Sequence, residues 1–128
     1  MRLNHVDLQV ADVDAARAFF ESYFDLRVTY QRAGEIALLK DEAGMLLGVS
    51  NLFASPPPQY PSDFHIGFRL GSAAEVQGKY EEMMAGAVPI RREPQSGGPA
   101  YFFVCLAPGG IPVEVSGPRE GMEAQYWQ

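Results

Sequence analysis

The chain has 128 residues, with ten Lys and Arg against sixteen Asp and Glu, a net charge of −6, and it is 47% hydrophobic and 20% charged. This composition supports a packed core and excludes a disordered chain. The acidic balance, with Arg91-Arg92 the only adjacent basic pair, argues against nucleic acid or an anionic membrane as partner. Cys105 stands alone, so no internal disulfide forms, which suits a reducing compartment. No apolar run approaches the ~18 residues that span a bilayer, and the N-terminus has no signal-peptide pattern. The expectation is a soluble, cytoplasmic, single-domain protein.

Leu3 to Val10 alternates, with Val6, Leu8 and Val10 on one face and His5, Asp7 and Gln9 on the other, which predicts a half-buried strand. Asp12 is placed to cap a helix whose apolar stripe runs through Ala16, Phe19, Phe20, Tyr23 and Phe24. Strands are expected over Leu26 to Tyr30, Glu35 to Leu39 and Met45 to Val49, with Gly34 and Gly44 at the turns. Asn51 to Ser62 contains Pro56-Pro57-Pro58 and Pro61, and proline's missing donor and fixed φ make this a stiff extended connection.

The second half repeats the order. Phe64, Ile66, Phe68 and Leu70 alternate with His65, Gly67 and Arg69. Ser72 with Glu75 forms a capping-box pattern, Val76, Tyr80, Met83 and Met84 give a helical stripe, and Gly86 supplies a stop. Strands are expected over Val88 to Arg91, Tyr101 to Leu106 and Ile111 to Ser116, with the extra length of this half in a loop from Glu93 to Pro99. Asn4-His5-Val6 overlays Phe64-His65-Ile66, and Gly44 to Ser50 overlays Gly110 to Ser116. The predicted fold is therefore α+β, two tandem βαβββ repeats forming curved mixed sheets. The repeats occupy residues 1–52 and 63–118, joined by the connection 53–62 and followed by a tail 119–128.

Facing selects the candidate chemistry. His5, His65 and Glu114 each lie opposite an apolar strand face; helices cover apolar sheet surface, so the polar faces are left for the cavity. The only two histidines hold the same place in the two repeats, and with Glu114 they make a His₂Glu set that leaves coordination positions open for water and substrate. Asp7 and Gln9, beside His5, are candidates to orient water or substrate. Met122 and Tyr126-Trp127 form a tail that packs over the cavity mouth or on a partner.

These features resemble the vicinal oxygen chelate superfamily, which groups glyoxalases, bleomycin-resistance proteins, fosfomycin-modifying transferases and extradiol dioxygenases. The resemblance rests on Leu3-Asn4-His5-Val6, on Val10-Ala11-Asp12 running into Phe19-Phe20 and Phe24-Asp25-Leu26, and on Tyr101-Phe102-Phe103 through Pro108-Gly109-Gly110-Ile111-Pro112-Val113-Glu114. Ala107 replaces the usual Asp of that ending. The resemblance implies a divalent metal (Mn, Fe, Ni or Zn) held by His5, His65 and Glu114, and a small substrate with neighbouring oxygens. The superfamily's four ligand positions here read His5, Gly48, His65 and Glu114; the glycine counts against glyoxalase activity as such, and a glutamate there would add a ligand. Arg92 and Ser96 resemble residues that hold a phosphonate oxygen, whereas Asp7 would repel one. Arg69 and Tyr101 complete the expected substrate-binding set. A lyase, dioxygenase or transferase follows, with a metal-free sequestering protein of the bleomycin-resistance kind as the alternative. The resemblance further implies a homodimer, in which the first repeat of one chain faces the second repeat of its partner.

Overall fold

Asp12 accepts a hydrogen bond from the Ala15 amide and starts α1 (Val13–Phe24) directly after β1 (His5–Gln9). In a computed structural model, which describes residues 1–53 and 55–126, the chain continues through β2 (Arg27–Arg32), β3 (Ile36–Lys40) and β4 (Leu46–Ser50). The second half follows with β5 (Ile66–Arg69), α2 (Ala73–Ala85), β6 (Ile90–Gly97), β7 (Ala100–Ala107), β8 (Ile111–Pro118) and the short α3 (Glu123–Tyr126). The chain divides into two compact units, residues 1–59 and 60–128.

Each unit is one curved four-stranded sheet. The strand orders are β1-β4-β3-β2 and β5-β8-β7-β6. The first and last strands of each repeat pair in parallel and the remaining neighbours are antiparallel, so both are mixed sheets. This is the predicted βαβββ unit, twice.

In the first unit, Phe20 and Ala16 from α1 are fully buried with Leu39 and Val49 of the sheet. Phe19 and Phe20 meet edge to face at 5.2 Å, the geometry that ring quadrupoles favour. In the second unit, Val76 and Met83 from α2 are fully buried, as are Phe103, Cys105, Val113 and Val115, and Tyr80 meets Phe103 edge to face at 5.4 Å. Burial pushes the Cys105 thiol up to about 12, so it is a small apolar core residue rather than a nucleophile.

The second unit departs from expectation in one stretch. The sequence predicts a loop from Glu93 to Pro99, but β6 runs on to Gly97, and β7 and β8 are each eight residues long. Extra length is absorbed by longer strands and by two register shifts in β6, between Ile90 and Arg92 and between Arg92 and Gln95. Prolines are tolerated in such an irregular edge strand because its outer side needs no ladder donor.

Candidate functional site

Register determines which side chains share a face. In β8, Val113 and Val115 turn toward α2 and are fully buried, so Glu114 and Ser116 lie on the opposite, helix-free side. Glu114 is opposite Gly67 of β5 and Val104 of β7, and Val104 is opposite Arg92 of β6. A pocket of about 210 Å³ opens on this side. Its wall includes His65, Glu114, Arg91, Arg92, Phe102 and Val104.

Two of the three expected metal ligands, His65 and Glu114, thus line one pocket. His5 lies in the first unit, on the corresponding helix-free face of β1, with Asp7 and Gln9. Gln9 is held there by donating from Nε2 to Ser50 Oγ at 2.9 Å. Among the described residues, no group of three or more His, Cys, Asp or Glu is gathered as a metal would need.

The donor chemistry nevertheless fits a metal. His65 Nδ1 lies 3.2 Å from the Asp63 carbonyl oxygen, and His5 Nδ1 lies 2.8 Å from Asn4 Oδ1. In each ring the hydrogen-bond contact is made at Nδ1, and Nε2 has no partner among the described residues. A contact at one ring nitrogen orients an imidazole and leaves the other nitrogen available to a ligand.

The substrate-binding candidates separate into two groups. Arg92 faces the pocket, joined by Arg91, whose Nη1 donates to the Ser62 carbonyl at 3.1 Å. Tyr101 and Ser96 do not. Tyr101 donates its hydroxyl to Gln77 Oε1 of α2 at 2.7 Å, and Ser96 is its direct partner across the β6–β7 ladder. Both therefore lie on the helix side, a correction to the expected set. Its cause is the shift between Arg92 and Gln95, because an extra residue in a strand reverses the facing of everything beyond it.

Arg69 is on the helix-free face, directly opposite Ser116, with its guanidinium carbon 5.1 Å from the centre of the Tyr126 ring. Tyr126 is buried, and its hydroxyl is 2.7 Å from Ser116 Oγ. The tail of the chain thus closes one end of this face, two residues along β8 from Glu114; Trp127 lies outside the described residues. Tyr126 was visible in the sequence only as half of an aromatic pair near the chain end. Phe64 is the other correction. It precedes β5, so strand alternation does not govern it, and its ring lines the pocket while stacking on Tyr60 at 5.3 Å.

Residues 2–115 match the family model described as the Glyoxalase/Bleomycin resistance protein/Dioxygenase superfamily. The chain belongs to this superfamily. Its fold is similar to a solved structure described as a possible glyoxalase from Bacillus cereus, at 34% identity over 90% of this chain and 97% of that one, with a TM-score of 0.79. A lactoylglutathione lyase from Agrobacterium tumefaciens matches at 21% identity over 94% of each chain, with a TM-score of 0.74. A family enzyme from Burkholderia phytofirmans PsJN matches at 16% identity over 92% of this chain and 99% of that one, with a TM-score of 0.75. Comparison with curated proteins finds no match. This superfamily includes lyases and dioxygenase-like enzymes and commonly uses divalent metals. No helix among the described residues is long and apolar enough to cross a membrane.

Proposed function

We propose that this superfamily member is a divalent-metal-dependent enzyme acting on a small molecule with two neighbouring oxygens, with His5, His65 and Glu114 as the protein ligands. The observation that carries this reading is that His65 and Glu114 line one pocket, with His5 on the corresponding face of the first unit and both rings contacted only at Nδ1. Two neutral imidazoles and one carboxylate suit Mn, Fe, Ni or Zn. When bound, such an ion supplies Lewis-acid stabilisation of negative charge developing on a substrate oxygen.

The remaining chemistry belongs to the chain. Among the described residues the Arg92 guanidinium has no hydrogen-bond or ion-pair partner, so its fork of donors is open to an anionic oxygen. Phe102 and Val104 provide an apolar wall of the same pocket. Gln9, positioned by Ser50, orients water or substrate beside His5, and Asp7 shares that face. The Tyr126 ring, bonded through its hydroxyl to Ser116, bounds the substrate at the far end and holds Arg69 in place.

The test is metal content and affinity of the purified protein, with Co(II) as the probe. Stoichiometric Co(II) binding is expected, weakened at least about tenfold in H5A, H65A and E114A, since even supporting groups around a metal are worth ~10–100-fold. A chain that binds no Co(II) at neutral pH, or variants that bind it as the parent does, would replace this reading with a metal-free sequestering protein.

A further inference from the structure

The two sheets carry the same pair of residue types at equivalent positions, but on exchanged strands. In the second sheet the facing pair is Gly67 on β5 and Glu114 on β8; in the first it is Asp7 on β1 and Gly48 on β4. Each sheet therefore presents one glycine and one carboxylate, and the carboxylate comes from the last strand in one repeat and the first strand in the other.

The glycines make room for the exchange. A Cβ at Gly67 would stand 3.8 Å from Glu114 Oε2, so the glutamate reaches over the empty position beside it. A Cβ at Gly48 would collide with Asp7 Oδ1. The Asp7 carboxylate thus occupies the volume that a side chain at position 48 would use. Adjacent strands lie only ~4.8 Å apart, so moving the carboxylate from β4 to β1 displaces its origin by about one strand spacing. Among the described residues Asp7 has no hydrogen bond or ion pair that would tie it elsewhere. His5 and Asp7 are two apart on one strand face, about 6.6 Å along the strand, a span that two metal bonds of ~2.1 Å and two side chains can bridge.

We infer that Asp7 is a transposed metal ligand, supplying from β1 the carboxylate that Gly48 does not supply from β4. The inference rests on the proposed metal site and makes it a four-ligand set of His5, Asp7, His65 and Glu114. It gives Asp7 a ligand's role instead of a water-orienting one, and gives Gly48 a purpose, to leave room for Asp7.

Exchange of the two residues tests this. Co(II) affinity and the visible absorption of the Co(II) protein, which reports coordination, are measured for D7N, D7G, G48E and D7G/G48E, with circular dichroism to verify folding. D7G and D7N are expected to bind Co(II) at least about a hundredfold more weakly, with a changed absorption spectrum. D7G/G48E, which gives the first sheet the arrangement of the second, is expected to recover the parent's affinity to within about tenfold, together with its spectrum. A merely supporting Asp7 would not be replaced by a glutamate on another strand. Parental affinity and spectrum in D7N overturns the inference, as does a folded double variant as weak as D7G. If D7G/G48E does not fold, D7N decides alone. Loss of binding in H5A and E114A with D7N unaffected removes Asp7 and keeps the metal site; no binding by the parent chain removes both.

Discussion

At the residue scale, one position hemmed in by backbone is a glycine outside the pocket. A Cβ on Gly117 would stand 2.9 Å from the Ser72 carbonyl oxygen, 3.0 Å from Val76 Cγ2 and 3.2 Å from the Leu70 carbonyl oxygen. Two of those atoms are backbone, fixed by the hydrogen bond from the Leu70 amide to Ser116 and by the first turn of α2. Neither can move without lifting α2 from β8. Gly117→Ala is therefore expected to destabilise the protein by about 1–3 kcal/mol, in the range of other overpacking changes. A lower urea midpoint at unchanged slope would show it; an unchanged midpoint would mean that the helix-to-sheet contact is softer than its geometry.

At the element scale, the two long helices end differently. The residue after α1 is Asp25, in the left-handed region at φ 54, where Asp is among the better-tolerated side chains. At the end of α2 the glycine is one position early. Gly86 has φ −85, while the left-handed position, φ 57, falls on Ala87. The Ala87 and Val88 amides bond back to Met84 and Met83, so the closing turn is held at the cost of strain on an alanine. Ala87→Gly relieves that strain and is expected to stabilise the protein by about 0.5–1 kcal/mol after the entropic penalty of a more flexible unfolded chain. A raised urea midpoint supports this account, and a lowered one refutes it.

At the scale of the whole molecule, the proposed ligands are divided, with His65 and Glu114 in one unit and His5 in the other. On the proposed reading, a full set takes His5 from one first unit and His65 with Glu114 from one second unit. Closure between two copies of the chain is the arrangement we favour, because the proline-rich connection is stiff and a two-fold dimer would then hold two equivalent sites. Mixing H5A with E114A chains, neither able to assemble a full set alone, tests it. Heterodimers are expected to recover one of the two sites and hence up to half of the parent's Co(II) stoichiometry. No recovery after demonstrated subunit exchange would place each site within one chain.

The duplicated βαβββ plan, the capped helix starts and the facing of His5 and Glu114 were legible in the sequence, because periods of two and 3.6 and N-cap chemistry are local properties. Facing was not legible in β7, where Tyr101 to Leu106 is apolar or aromatic throughout, so alternation carries no signal. Only the pairing of Val104 with Glu114 decides which side Tyr101 takes. Likewise, Arg92 and Ser96 would share a face in a regular strand, and the shift after Arg92 separates them. The relation between Asp7 and Gly48 joins residues forty-one positions apart through a parallel register, and the burial of Tyr126 on Ser116 joins two elements across a turn. Register, bulges and tail docking are set by the sum of contacts across elements, so only the tertiary structure decided them.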